Sequence, residues 1–216
     1  YTILFDLDGA IVHTAPDLMS AHNHVMKKFG HPTKELGDIK SLAGKGAWLM
    51  MQRSFKKEVT DEKIKNEMTK EFIDYYSKNI ANDSKPFEGL FDFLDWAKSK
   101  NISMAVCTNK QERLAIDLLK RLNLFNYFEY VAGSDTFNYN KPDPRHLTDV
   151  VEIVGGDLKK TIMVGDSEVD EMAATNAKLP FILVADGYTE KTVEQIKHDV
   201  LIKDYVGFDK IISKYL

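Results

Sequence analysis

Four short clusters in this 216-residue chain carry side chains able to do acid, base or phosphate chemistry. Asp6 and Asp8 stand two apart, a spacing that projects both carboxylates to one side of an extended stretch. Gly9, behind them, can take the positive φ that a sharp exit from a strand needs. Thr108-Asn109-Lys110 offers a hydroxyl and backbone N–H groups, and Lys141-Pro142-Asp143-Pro144 brings a positive charge. Gly165-Asp166-Ser167 adds a carboxylate, and Asp170, four residues on, shares a helical face with it. Three aspartates gathered in one pocket repel one another and raise each other's pKa unless a cation neutralises them. Carboxylate oxygens with no soft donor nearby select Mg²⁺ over zinc or copper. The Thr108 hydroxyl and the N–H groups of Asn109 and Ser167 at helix starts suit phosphate oxygens. Lys141 adds positive charge where phosphoryl transfer concentrates negative charge. A carboxylate nucleophile beside Mg²⁺ is chemically competent to form an aspartyl-phosphate.

The elements that must position these clusters alternate. Residues 2–5 are apolar and β-branched and read as a buried strand ending at Asp6. From residue 86 onward, helices at 91–98, 111–122, 144–154 and 168–177 alternate with strands at 103–107, 127–132, 161–164 and 181–184. Such alternation predicts an α/β fold, a Rossmann-like parallel sheet with helices on both faces. Ligands of open α/β sheets bind beyond the carboxyl ends of the strands, and that is where every one of the four clusters falls. Between residues 16 and 82 no strand pattern occurs. Leu18, Ala21, Val25 and Phe29 recur at helical spacing until Gly30-His31-Pro32 breaks the run. A second helix is expected at 47–55 and a third at 60–78, opened by Thr60 as cap with acids in its first turn. The chain therefore reads as a catalytic core of residues 1–15 and 83–216 with a small α-helical cap, 16–82, inserted after the first strand.

Asp6-Leu7-Asp8-Gly9, then Thr108, then Lys141-Pro142, then Gly165-Asp166-Ser167-Glu168-Val169-Asp170 resemble the four motifs of the haloacid-dehalogenase-like hydrolase superfamily. Within it, Val106-Cys107-Thr108-Asn109-Lys110, Gly133-Ser134-Asp135, Lys141-Pro142-Asp143-Pro144, Ala15-Pro16-Asp17-Leu18 and Gly44-Lys45-Gly46-Ala47 are similar to phosphoglycolate phosphatases. The resemblance implies a Mg²⁺-dependent phosphatase acting on a small phosphorylated metabolite, 2-phosphoglycolate first among them. Asp6 would then be the nucleophile and a metal ligand. Asp8 would be the general acid/base, lending its backbone carbonyl to the metal. Thr108 and Lys141 would hold the phosphoryl group, and Asp166 would bind the metal, with Asp170 in or near its outer shell. Gly9 and Asn109 join the substrate-binding set. The family usually has Thr where this chain has Ala10 and Asp where it has His13; neither position carries the chemistry, although the alanine loses a hydroxyl beside the nucleophile loop.

Plainer readings stand beside these. Asp6 and Asp8 alone would make a solvated turn, Thr108 and Asp170 are both suited to capping helices, and Lys141-Pro142 alone would be a turn. Lys45, between two glycines, is either a loop residue that closes on a substrate carboxylate or a solvated lysine. As a nucleotide-binding loop the stretch fails, since Ile39 and Gly46 stand where glycine and Ser or Thr are required. Cys107 ends a buried strand and reads as core, and His22 and His24 point different ways on their helix. Trp48, Met50 and Met51 fit cap core, cap–core contact or dimerisation. A β-phosphoglucomutase-like phosphotransferase shares the four motifs, but Leu18 and Gly46-Ala47-Trp48-Leu49 stand where such enzymes carry a histidine and an Arg-x-x-Ser-like stretch. A non-catalytic binding protein on the same fold would need a broken site, and Asp6, Asp8, Thr108, Lys141 and Asp166 are all present.

Composition narrows the classes further. With 44% apolar residues the chain supplies a core, and 33 acids against 29 lysines and arginines, a net charge of −4, offer no basic footprint for nucleic acid or an anionic membrane. No run of 18 apolar residues spans a bilayer. The single cysteine excludes an internal disulfide framework and fits a reducing cytoplasm. The first residues lack the basic start and cleavage site of a signal peptide. A monomer or homodimer is expected.

Overall fold

Thr2-Ile3-Leu4-Phe5 form strand β1 (Thr2–Phe5), buried on both faces as a central strand of a parallel sheet must be. The computed structural model describes residues 1–43, 47–55 and 61–215; Gly44, Lys45, Gly46 and Thr60 lie outside the described residues, as does the side chain of Trp48. After β1 the chain makes a tight turn into the two-residue β2 (Val12–His13) and enters helix α1 (Ala15–Lys28). That helix ends where the sequence places a break. Gly30 takes φ +75°, the Gly30 N–H donates to the Lys27 carbonyl and the His31 N–H to that of Met26, the paired bonds of a left-handed helix cap. Helices α2 (Ile39–Leu42), α3 (Ala47–Phe55) and α4 (Glu62–Lys78) follow. Asp61, and not Thr60 as expected, caps α4, because its carboxylate accepts the Lys63 N–H at 2.8 Å. The chain then returns through β3 (Lys85–Pro86), which pairs antiparallel with β2.

From there α5 (Leu90–Ser99), β4 (Ser103–Cys107), α6 (Glu112–Arg121), β5 (Tyr130–Ala132), α7 (Arg145–Ile153), β6 (Thr161–Gly165), α8 (Glu168–Ala177), β7 (Phe181–Val184), β8 (Val200–Ile202) and α9 (Phe208–Ile212) complete the described chain. Six strands form one parallel sheet in the order β5-β4-β1-β6-β7-β8. Two strand expectations also need correction. Strand β5 starts at Tyr130 rather than at residue 127, because Phe125–Tyr127 closes a 3₁₀ turn. The sixth strand, β8, has no counterpart in the sequence reading; it is a three-residue edge strand with Leu201 exposed, too short to show a period of two.

Alternation distributes the strand residues between two cores. Ile3, Phe5, Met104, Val106, Ile162 and Val164 face one way, while Leu4, Ala105, Cys107 and Met163 face the other. On the first side Phe5 meets the rings of Phe93, Phe128 and Tyr205, and the Tyr205 hydroxyl donates to the Ala10 carbonyl at 3.0 Å. Met50 and Met51 are buried, and Met50 also borders a cleft. His13, on β2, stacks on Phe87 with ring centroids 3.5 Å apart. No helix among the described residues is long and apolar enough to cross a membrane.

Candidate active site

Parallel register decides which residues meet at the sheet's edge. Phe5 lies beside Val106 on one side and Val164 on the other. The residues that follow, Asp6, Cys107-Thr108 and Gly165-Asp166, therefore leave the sheet together. The ladders continue one step further, with the Asp6 N–H on the Val164 carbonyl and the Thr108 N–H on that of Ala132, both at 2.9 Å.

Asp6, Asp166 and Asp170 are all buried and bring carboxylate oxygens within 4.8 Å of one another. Lys141, 3% exposed, reaches into this group: its Nζ donates to Asp6 Oδ1 at 2.7 Å and to Asp170 Oδ1 at 2.6 Å. Asp170 also closes the N-terminus of α8. Its Oδ2 accepts the Ser167 N–H, the Ser167 hydroxyl and the Asp166 N–H at 3.1, 2.8 and 3.2 Å. Asp170 thus caps α8 with one carboxylate oxygen while the other holds Lys141. A side chain at Gly165 would strike the Asp170 carboxyl, 2.5 Å from the place of its Cβ. The Asp166 Oδ2 accepts the Tyr188 N–H at 2.6 Å.

Burial and crowding set the electrostatics. Burial raises the Asp6 carboxyl to about 6, with the Lys141 ammonium pulling it down and the Asp170 and Asp8 charges pushing it up. Burial, then repulsion from Asp170 and Asp6, carries Asp166 well above the usual carboxylate range. Lys141 loses solvation too, but Asp170 and Asp6 more than offset that and raise its pKa.

Asp8 stands apart from this group. Its Oδ1 accepts the Lys110 ammonium at 2.7 Å, and Lys110 also donates to the Tyr76 hydroxyl of α4 at 3.1 Å. Asp6, Asp8, Thr108, Asn109 and Lys110 line one wall of a cleft of about 430 Å³. Leu18, Met50, Phe72, Ile73 and Tyr76, from the helical segment, line another wall. The Thr108 Oγ1 accepts the Lys110 N–H at 3.2 Å. Asn109 is buried and donates through Nδ2 to the Lys141 carbonyl at 3.0 Å, tying the β4 edge to the Lys141 loop. Gly9 has φ +82°, and a Cβ there would collide with the Asp166 carboxylate. Its N–H is used within the turn, on the Val12 carbonyl. Ala10 is wholly buried.

Other acids near the motifs stay outside. Asp143 pairs with Arg145, whose guanidinium lowers its carboxyl to about 2. Cys107 is buried and its thiol is pushed up to about 12, which suits core and not nucleophile. His22 bonds Ser54 while His24 bonds Glu71, so the two rings do diverge.

Lys110, Tyr76, Tyr188 and Asp17 carry no role in the sequence reading. Lys110 follows Thr108 by two residues at a strand end, a position that marks it. Asp17 lies in the first turn of α1, where an acid reads as an ordinary helix start. Its carboxylate instead accepts the Ser84 hydroxyl at 2.6 Å, the Ser84 N–H at 2.8 Å and the Asp83 N–H at 3.1 Å. Nothing local flags Tyr76 or Tyr188, whose partners lie far off in sequence.

The chain resembles known proteins along nearly all of its length. The model of the family described as haloacid dehalogenase-like hydrolase matches residues 3–184. A phosphoglycolate phosphatase of Agrobacterium fabrum is 39% identical over 98% of this chain and 94% of its own. One from Caulobacter vibrioides is 37% identical over 97% and 89%. A crystal structure described as a predicted phosphoglycolate phosphatase from Haemophilus somnus superposes with a TM-score of 0.91 at 27% identity, covering 98% of this chain and 97% of that one. On the strength of that match and of the parallel sheet that gathers its motif residues, the chain belongs to the haloacid dehalogenase-like hydrolase family.

Proposed function

We propose that this protein is a Mg²⁺-dependent phosphatase of small phosphorylated metabolites, with 2-phosphoglycolate as its substrate, and that Asp6 becomes phosphorylated during turnover. The observation that carries the reading is the charge balance of the buried cluster. Three carboxylates, Asp6, Asp166 and Asp170, face one ammonium, Lys141; ionised together they would leave two negative charges, which one divalent cation would balance, and the raised Asp6 and Asp166 carboxyls mark that missing charge. Among the described residues the donors are all oxygen, with neither imidazole nor thiolate in the group, which suits magnesium. Asp6 and Asp166 would hold the cation directly, aided by the Asp8 carbonyl. Asp170, already engaged by Lys141 and the α8 N-terminus, would orient Lys141. When bound, magnesium supplies a Lewis acid for the phosphoryl oxygens.

The protein's own groups do the rest. An Asp6 carboxylate oxygen attacks phosphorus, the bond to the ester oxygen breaks, and Asp8 gives that oxygen its proton. Asp8 then takes a proton from the water that attacks the phosphorus of the aspartyl-phosphate, releasing phosphate and restoring Asp6. The Thr108 hydroxyl and the Lys141 ammonium neutralise charge on the transferring group. Residues 16–82 act as a cap, whose apolar wall over the cleft excludes water during the attack. The relatives named phosphoglycolate phosphatase support the substrate.

Phosphate release from 2-phosphoglycolate, hexose phosphates and p-nitrophenyl phosphate, with Mg²⁺ and with excess chelator, tests this reading. Metal-dependent release with 2-phosphoglycolate preferred is expected, and Asp6→Asn should lower turnover by about three orders of magnitude or more. Undiminished turnover by the Asp6→Asn protein would overturn the mechanism, because an amide cannot serve as this nucleophile.

A further inference from the structure

The cleft has an apolar far wall, so a charged leaving group must find its partner elsewhere. Among the described residues that line the cleft, Lys110 is the only cation. It is 8% exposed and is held in place from three directions. Its backbone N–H is fixed on Thr108 Oγ1, and its Nζ is fixed between Asp8 and the Tyr76 hydroxyl. An ammonium has three N–H donors. Asp8 and Tyr76 take two, and the third is left for a ligand in the cleft.

The position of this cation relative to the reaction matters. Lys141, held by Asp6 and Asp170, is assigned to the transferring phosphoryl group. Lys110 instead grips Asp8, the group assigned to protonate the ester oxygen, and so stands beside the leaving group. In 2-phosphoglycolate a single methylene separates that oxygen from the carboxylate. A cation bonded to the acid that serves the oxygen is thus within reach of the carboxylate of the same molecule. The apolar wall keeps water from competing for this pair, and charge-assisted hydrogen bonds gain most in such surroundings.

We infer that Lys110 is the specificity-determining residue of the cleft, and that the substrate class it selects is small phosphomonoesters bearing a carboxylate one carbon from the ester oxygen. The inference rests on the phosphatase reading and deepens it. Lys110 shares its charge between Asp8 and the incoming carboxylate, and Tyr76 keeps it at the cleft wall while it does so.

The test compares 2-phosphoglycolate with 2-hydroxyethyl phosphate, which keeps the skeleton and replaces the carboxylate by a neutral hydroxymethyl group. The readout is the ratio of kcat/KM for the two esters in the parent protein, in Lys110→Met and in Lys45→Met. Lys110→Gln, which keeps hydrogen-bonding capacity without the charge, replaces the methionine variant if that fails to fold. Loss of one charge-assisted bond should lower the ratio by about 10- to 100-fold. A ratio unchanged within about threefold, with both esters slowed alike, would mean that Lys110 only orders Asp8, and would overturn the inference; so would a fall confined to Lys45→Met. Calorimetric binding of the same two esters with Mg²⁺ to Asp6→Asn, with and without Lys110→Met, reads recognition without turnover. If the parent protein hydrolyses neither ester, the assignment of 2-phosphoglycolate as its substrate fails. The binding preference then decides the role of Lys110 independently: a preference for the carboxylate lost with Lys110 sustains it, and equal binding overturns it.

Discussion

At the scale of single residues, the chain buries ionisable groups in two different ways. The acidic cluster crowds its carboxyls around Lys141, where burial and mutual repulsion raise Asp6 and Asp166. His146, in α7, is kept neutral. Its ring is fully buried, bonds the Gly133 carbonyl at 3.2 Å, and has its pKa lowered to about 4 by burial and by the nearby Lys141 charge. The unfolded chain takes up this proton near pH 6.5, whereas the folded protein does not until about pH 4. Within that window the unfolded state holds more protons, so stability falls as pH falls. The contribution at stake is about 3 kcal/mol. Urea unfolding from pH 7 to pH 4 should show a shallower loss of stability in His146→Gln than in the parent protein. Parallel curves would show that another group governs the slope.

At the scale of elements, the two crossings between sheet and helical segment are tied together by one side chain. Asp17 starts α1 and holds the backbone of Asp83 and the backbone and hydroxyl of Ser84, just before β3. Asp17→Ala leaves the buried Ser84 N–H and hydroxyl unpaired, a cost of about 1–3 kcal/mol that a denaturation midpoint would register. Catalysis should fall as well, since the wall carrying Tyr76 loses its anchor; wild-type turnover in this variant would argue against that link. The same contact shows where legibility ends. Strands β1, β4, β6 and β7 declare themselves through apolar, β-branched runs, and Asp6, Thr108 and Asp166 could be placed together because they follow such runs. Lys141 is harder to place, lying nine residues past β5, yet its position before Pro142 marks it. Strand β8 is hidden because three residues at an edge carry no periodicity. The links Asp17–Ser84 and Lys110–Tyr76 are hidden because each is a long-range pairing of residue types that are ordinary in their own helix or loop.

For the molecule as a whole, a buried cluster of three carboxylates around one ammonium is a strain that a cation would relieve, so on the proposed reading magnesium would act on folding as well as on turnover. A ligand bound by the native state alone stabilises it by about 2.7 kcal/mol at a hundred times its dissociation constant. The Tm should climb with Mg²⁺ concentration, and Asp166→Asn should flatten the climb; a Tm indifferent to magnesium would contradict the charge-balance argument. The path of the chain beyond residue 184, where the family match stops, has a separate consequence. Tyr188 lies past that limit and supplies the N–H that steadies Asp166. Tyr205 lies further on and holds the Ala10 carbonyl, in the turn that follows Asp6. The stretch that spells the family's signature is therefore smaller than the piece of protein needed to keep that signature in shape. Drift in these last thirty or so residues would change the site without altering a letter of its motifs.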